Sequence, residues 1–504
     1  MTIGGKTIRK YLLSIDNGGT YIKAAIHDFN GRQIALTRVH SEPLIPHPDW
    51  TEYDQDRLWE INCECIRTLM QNAKIDPEEI ACIGISGQGS GLYAVDAHGA
   101  SVRNAIASCD GRAKAIAERW NADGTADAVY DTTYHYASAG QLCTILSWLQ
   151  ANEPENYARI DRLFAMKDLL VYRFTGEVIS SYGCQSASGL MDMRARRFTP
   201  ELARHLGLDG ADRKFGDLRW DVECCGCVTP EAAAQCGLAP GIPVSAGSHD
   251  VIATAIAMGA TDPDCCFMIT GTHGINGYIA DAPVLNGTIG NNEMFAVDGK
   301  YLIEEGYPSS SGTLEWAISV LFADDHRASS EIYRDINAMV ESIDPETNDL
   351  IFMPYLRGSR DDANAEGCWQ GLKPFHGRAH MLEALYEGVA FAHHIQMHHL
   401  FMNRKRPARI KAAGGATGSA VWMQMFADVL QIPLEIVPDD EMGVKGASIV
   451  AAVAAGIYPD LDTAVAHMTE KGVMVYPRPE KKQMYERKLE RFHQAYEAMK
   501  PLWR

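Results

Sequence analysis

The sequence predicts an α/β protein of two domains, each built on a mixed sheet. Three observations carry this expectation. The chain has 504 residues, more than one hydrophobic core organises and enough for two or three domains. Its start reads as consecutive hairpin strands followed by alternating helix and strand, an order that builds a mixed sheet rather than an all-parallel one. An apolar strand running into a Gly/Thr turn also occurs twice, at Asp16-Asn17-Gly18-Gly19-Thr20 and at Thr270-Gly271-Thr272-His273-Gly274, about half a chain apart.

The elements follow in order. Strands are expected at 11–15, 22–26 and 33–37, separated by Asn17-Gly18-Gly19-Thr20 and Asn30-Gly31-Arg32, which are hairpin breaks. Leu58, Ile61, Cys65, Ile66 and Leu69 recur at helical spacing. The apolar run 80–85 is a buried strand closed by glycines, and 242–247 is another. The punctuation Ala239-Pro240-Gly241-Ile242-Pro243 reads as a hinge, which gives domains 1–247 and 248–504. The second half continues with strands at 265–269, 350–353, 409–412 and 433–437 and helices near 380–401, 420–430, 446–455 and 483–499. The last of these is charged and amphipathic and packs across a surface.

Composition excludes several classes. Hydrophobic residues are 46% and charged residues 22%, an ordinary globular balance, and the formal charge of −19 repels polyanions. A nucleic-acid partner is therefore not expected, whereas a small anion remains compatible because local backbone donors override a mean field. No apolar run approaches the ~20 residues that span a bilayer, and the first seven residues carry no signal-peptide core. A soluble, cytoplasmic chain without membrane partners is expected. The thirteen cysteines are an odd number without secretory features, so they read as free thiols. Cys224-Cys225-Gly226-Cys227 with Cys236 lacks the second paired motif of a zinc site. His393-His394 and His398-His399 contain an i,i+4 pair but no H-E-x-x-H, and read as an exposed or partly buried helix face.

Chemistry can sit where glycines end strands. In the segment from Asp16 to Lys23, Gly18 and Gly19 admit a phosphate to the backbone N–H groups, Thr20 adds a hydroxyl donor, and Asp16 can hold a cation. The same residues also make a plain hairpin turn. Gly271 and Thr272 form a second such turn, and Ala413-Gly414-Gly415-Ala416-Thr417-Gly418-Ser419 a third, between a strand and a helix starting near Ser419. Three glycine turns at strand ends favour nucleotide binding, whereas Gly87-Gln88-Gly89-Ser90-Gly91 does not match a dinucleotide fingerprint. Asp250, in Ser248-His249-Asp250, follows a strand and a glycine. It is placed either to take a proton from a substrate hydroxyl or to cap the helix that starts at Val251, and His249 reads as structural. Gln88, Gly89 and Ser90, with Asp110 and Arg112 in Ser108-Cys109-Asp110-Gly111-Arg112, supply amide, hydroxyl, carboxylate and guanidinium groups. Those groups suit a polyhydroxylated ligand, and they equally suit solvated loops.

Taken in order, these motifs resemble the FGGY family of carbohydrate kinases, of the actin-like ATPase superfamily, from Tyr11 to about Gly456. The set is Asp16…Gly18-Gly19-Thr20…Lys23, Gly87-Gln88, Asp110-Gly111-Arg112, Asp250, Gly271-Thr272 and Gly414-Gly415-Ala416, which leads into Trp422-Met423-Gln424-Met425-Phe426-Ala427-Asp428. Its most specific part is Gly367-Cys368-Trp369-Gln370-Gly371-Leu372…His380-Met381…Ala384…Tyr386-Glu387-Gly388. The resemblance implies two ribonuclease-H-like domains flanking a deep cleft, sugar mainly on the first and ATP mainly on the second. It implies Asp250 as base, Asp16 and Asp250 beside Mg²⁺, and Gly18, Gly19, Thr20, Lys23, Gly271 and Thr272 near the phosphates. Gly414, Gly415, Ala416 and Ser419 would lie by the adenosine. Gln88, Gly89, Ser90, Asp110 and Arg112 would lie around the sugar. By analogy it also implies a homodimer.

D-xylulose kinases commonly carry Met-His where this chain has Gly89-Ser90, and often a Trp near Ser108-Cys109. The Gly-Gln-Gly-x-Gly form looks more like bacterial kinases of L-xylulose and of sugar alcohols. The expected reaction is γ-phosphoryl transfer from ATP to a terminal hydroxyl of a ketopentose, L-xylulose or a related xylulose-type sugar. A kinase of erythritol, ribitol or glycerol, an actin-like ATPase switch without sugar, and a sugar sensor that binds without turnover are the alternatives.

Overall fold

The computed structural model describes residues 2–503 apart from 4, 5, 8, 361, 363, 439 and 440. Met1, Gly4 and Gly5, in the start searched for a signal peptide, lie outside the described residues. The chain forms two compact units. The first is Met1–Thr261 with Ala280–Leu302 and Glu441–Thr469, and the second is Asp262–Ile279 with Ile303–Asp440 and Glu470–Arg504. This differs from the expected division at 247/248. The Pro/Gly segment 239–243 is a turn inside the first unit, between helix Pro230–Cys236 and strand Pro243–Ser245. The helix expected at 446–455 runs Met442–Ala454 and returns to the first unit.

The sheet of the first unit places Gln33–His40, Tyr21–Asp28, Tyr11–Asn17, Ile80–Gly87, Pro243–Ser245 and Cys224–Cys227 side by side. The first three are antiparallel, Tyr11–Asn17 pairs parallel with Ile80–Gly87, and Pro243–Ser245 continues in parallel. Central position explains the uninterrupted burial of Ile80–Gly87, since both faces are covered. Helix Gln55–Ala73 starts where the Asp54 side chain accepts the Asp56 and Arg57 N–H groups. It buries Leu58, Ile61, Cys65, Ile66 and Leu69 in the core with Leu13, Ile15, Ile83 and Ile85.

Helix Met442–Ala454 seals the sheet by backbone contact. A Cβ at Gly84 would sit 2.0 Å from the Ala447 carbonyl oxygen, and one at Gly446 would sit 1.9 Å from that of Ala253. Any side chain at either position would push the elements apart.

The second unit repeats the strand order. Tyr301–Tyr307, Gly274–Ala280, Cys266–Thr270, Ile410–Ala413, Leu434–Ile436 and Val473–Val475 lie side by side. Cys266–Thr270 is antiparallel to Gly274–Ala280 and parallel to Ile410–Ala413. The two Gly/Thr turns therefore occupy the same place in the two sheets, each joining the first hairpin. The strand expected at 350–353 does not join this sheet. Ile351–Met353 pairs with Cys368–Gln370 instead, and a Cβ at Gly388 would lie 2.2 Å from the Phe352 oxygen. The glycine that ends the family-like signature thus lets helix Arg378–Phe401 touch that strand. Helix Lys482–Met499 buries Met484, Tyr485, Phe492, Ala495 and Tyr496 along one face, as its pattern predicts.

His393 is more deeply placed than expected. It is fully buried, with Nε2 2.8 Å from Ser310 Oγ and Nδ1 3.0 Å from Asn276 Oδ1. Burial pushes its imidazole down to about 3, so it is neutral. Among the described residues no group of three or more His, Cys, Asp or Glu is arranged to hold a metal by itself, and no helix is long and apolar enough to cross a membrane. All thirteen cysteines are free, with Cys224 and Cys227 exposed.

Candidate active site

Register brings the first unit's candidate residues together. Asp16 lies opposite Ser86, and Ser248 lies opposite Ser86 on the other side. One step further, Asn17, Gly87 and His249 are aligned. Three adjacent strands therefore end together and deliver Asp16, Gln88 and Asp250 to one place. Gly247 makes the last delivery possible. Its φ is +75°, and a Cβ there would lie 2.3 Å from the Ile85 oxygen.

Asp16 is buried, and its Oδ1 has no hydrogen-bond partner among the described residues. Lys23 faces it across the hairpin and pairs with Glu441 at 2.5 Å. Burial pushes the Asp16 carboxyl up to about 6. Lys23 opposes this rise, while Asp250 and Glu441 reinforce it. Gly443 leaves room for the carboxylate, because a Cβ there would be 2.4 Å from Asp16 Cγ. A buried carboxylate with an unused oxygen and two acidic neighbours fits a hard divalent cation.

The Gly18–Thr20 turn is a hairpin, closed by the Gly18 N–H donating to the Tyr21 oxygen at 3.0 Å. Ser41 Oγ and Tyr53 OH both donate to the Gly19 oxygen, at 2.5 and 3.2 Å. Gln88 packs on this turn, since a Cβ at Gly19 would lie 3.1 Å from its Nε2. Its Oε1 is buried without a hydrogen-bond partner among the described residues. Ser90 and Gly91 have φ of 59° and 79°, which folds the loop back onto residue 106.

Asp250 is the first residue of helix Asp250–Ala257, with His249 in the capping position. Its Oδ1 accepts the Val251 N–H at 2.9 Å, and its side chain is 47% exposed. The expected cap position is taken by His249 rather than Asp250, whose carboxylate accepts the next N–H of the first turn and stays accessible. His249 places Nε2 2.6 Å from Glu293 Oε2 and Nδ1 3.7 Å from Asp250 Oδ1. Burial pulls this imidazole down, but Glu293 and Asp250 outweigh it and raise it well above its ordinary value.

Asp110 and Arg112 form a separate buried cluster. Asp110 accepts the Thr51 N–H at 2.6 Å and the Arg112 guanidinium at 2.8 and 2.9 Å. Arg112 also pairs with Glu52 at 2.8 Å and lies 4.1 Å over the Trp50 ring. These are not solvated loops. The cluster reaches the first group through one short segment, since Thr51 binds Asp110 while Tyr53, two residues on, binds Gly19.

The second unit holds the other glycine turns. Ser311 donates its N–H to the Gly271 oxygen at 2.9 Å, and Ser310 donates its N–H to the Thr272 oxygen at 3.0 Å. Gly414 passes directly against this turn, with φ +104° and a hypothetical Cβ 2.7 Å from the Thr270 carbonyl carbon. Beyond it a cavity of about 290 Å³ is lined by Gly415, Ala416, Ser419, Asn337, Tyr386 and Trp422, among others. Tyr386 stacks on Trp422 at 4.0 Å, and Asn337 Oδ1 accepts from Tyr386 OH and Ser419 Oγ at 3.0 and 2.7 Å. Such an apolar slot with few polar groups suits a flat base. Gly414→Ala is expected to cost about 1–3 kcal/mol, because only glycine adopts that backbone without strain. Urea unfolding checks it, and an unchanged midpoint would show that the turn accepts a side chain.

A two-unit α/β chain with a strand-end carboxylate site in one unit and an apolar slot behind a glycine turn in the other has the layout of a small-molecule phosphotransferase. The N-terminal domain model of the FGGY family of carbohydrate kinases matches residues 11–257, and the C-terminal domain model matches 262–455. The chain belongs to the FGGY family of carbohydrate kinases and is a sugar kinase. A probable L-xylulose kinase of Pasteurella multocida (strain Pm70) is 32% identical over 98% of this chain and 99% of its own. The L-xylulose/3-keto-L-gulonate kinase of Escherichia coli (strain K12) is 32% identical over 97% of each. In fold, the ligand-bound xylulose kinase from Lactobacillus acidophilus is similar, with a TM-score of 0.89 at 23% identity over 97% of this chain and 98% of that one.

Sequence reasoning singled out Asp16, Gln88, Asp110 and Asp250, but it did not find Glu293, Glu441 or Asn337. Each of those lies far along the chain from its partner and has no local motif. His249 was visible beside Asp250, yet only the fold supplies Glu293.

Proposed function

We propose that this chain transfers the γ-phosphoryl group of ATP to a terminal hydroxyl of a xylulose-type ketopentose, L-xylulose foremost, in the cytoplasm. The convergence of Asp16, Gln88 and Asp250 at three adjacent strand ends carries the reading. The near-full-length likeness to two L-xylulose kinases supports the sugar class.

The roles follow from the chemistry of the groups. Asp250, exposed and fixed through Oδ1, orients the acceptor hydroxyl and takes its proton as the P–O bond forms. Gln88 turns an unsatisfied amide oxygen toward sugar hydroxyls, with Gly89 and Ser90 shaping the loop beside it. Asp110, whose carboxylate is taken up by the Thr51 and Arg112 N–H groups, and Arg112 would border the sugar and fix the loop around it. Gly18 closes the turn, the backbone N–H groups of Gly19 and Thr20 and of Gly271 and Thr272 donate to phosphate oxygens, and Lys23 adds positive charge. Gly414, Gly415, Ala416 and Ser419 border the adenosine slot. Asp16, with Asp250 beside it, would hold Mg²⁺, which shields phosphate charge when bound.

The test is ADP release by the purified chain with a panel of ketoses and polyols, with and without Mg²⁺. Strong stimulation by L-xylulose is the expected result. A preference for erythritol, ribitol or glycerol would reassign the acceptor. Hydrolysis indifferent to every sugar, accompanied by polymerisation, would replace the reading with an ATPase switch. Sugar binding without ADP release would replace it with a sensor.

A further inference from the structure

We infer that Glu293 and His249 form a positioning pair that sets the orientation of the Asp250 carboxylate, and that residue 89 is glycine because the imidazole occupies the space above it. The inference rests on the reading of Asp250 as the base.

Two independent features carry it. The first is a chain of contacts. Glu293 Oε2 lies 2.6 Å from His249 Nε2, and His249 Nδ1 lies 3.7 Å from Asp250 Oδ1. The His249 and Glu293 side chains are 5% and 7% exposed, against 47% for Asp250. A buried ion pair contributes little net stability, because desolvation offsets its attraction. Its charge attraction does favour one placement of the ring, with Nε2 against the carboxylate. Backbone pairing of Ser248–His249 with Ser86–Gly87 fixes the main chain that carries the ring. Asp250 Oδ1 accepts the Val251 N–H, and the imidazole edge stands over the same oxygen at 3.7 Å. The second oxygen, Oδ2, is left to meet the acceptor hydroxyl.

The second feature is steric. A Cβ at Gly89 would lie 3.3 Å from His249 Cβ and 3.4 Å from Cγ. A side chain there would press on the root of the imidazole. The glycine and the histidine are therefore complementary, although they lie far apart in the chain.

Two substitutions separate the halves of the pair. His249→Asn keeps an N–H near the position of Nδ1, facing Asp250, and gives up Glu293. His249→Gln keeps an N–H near the position of Nε2 and gives up Asp250. Steady-state kinetics of the full chain on its preferred acceptor would be measured for both, with thermal unfolding alongside. Each variant breaks one half of the pair, so both should lose about 10–100-fold in kcat with both KM values little changed, the loss typical of a misplaced reacting group. Wild-type kcat in either variant, or losses that follow melting temperature in both, would overturn the pair and leave a purely structural role. Absence of acceptor-dependent ADP release in the unaltered, folded chain would overturn the kinase reading and the inference with it.

Discussion

Replacing Asp250 with Asn is expected to leave ATP binding intact and to lower kcat by about 10²–10⁴-fold, the usual range for loss of a general base. Asn keeps the shape, and its amide oxygen can still accept the Val251 N–H that fixes Oδ1. What disappears is the proton acceptor. Nucleotide affinity should hold, because the apolar slot and the Gly414 turn belong to the second unit. Calorimetric titration with ATP and steady-state kinetics with sugar give the two readouts. Near-wild-type kcat would remove Asp250 from the chemistry, and parallel loss of ATP binding would point to a folding defect.

Asp16→Asn should give an opposite pair of effects: activity falls while stability rises. The carboxyl has a folded pKa of about 6 against an ordinary 3.8, chiefly from burial. Between those values the folded chain binds more protons than the unfolded one, so this residue's contribution falls as pH rises from about 4 to 6. Above that window the ionised group costs up to about 3 kcal/mol in metal-free buffer. Asn carries no charge and should recover part of this, raising the melting temperature at pH 7 but changing little at pH 4. The same variant should need far more Mg²⁺ for turnover. A melting temperature lowered equally at both pH values would show that the carboxylate stabilises the fold after all.

The contrast between these residues and Glu293 shows how much the chain disclosed in advance. Glycine turns and buried apolar strands leave local marks, so Asp16, Asp250 and the Gly414 turn stand out as candidates from their neighbours, while the choice of base over cap for Asp250 rests on the family resemblance. The repeated strand order was foreshadowed by the two Gly/Thr turns. Glu293 and Glu441 leave no such mark, because their partners are set by pairing across the fold. The Pro/Gly segment near 240 misled about the domain boundary for a related reason. Proline and glycine report that the chain bends, and a bend inside one core looks the same as a bend between two. Asp110 and Arg112 looked like solvated loop residues as readily as ligands, since nothing local announces Glu52, Thr51 and Trp50 around them.

The helix that seals the first sheet comes from residues 442–454, and this orders events at the ribosome. At about 5–20 residues per second, the surface around Gly84 waits uncovered until most of the polypeptide has been made. A nascent chain stopped after residue 261 would expose that strand's apolar face, and it would depend on chaperones rather than on its own core to stay dispersed.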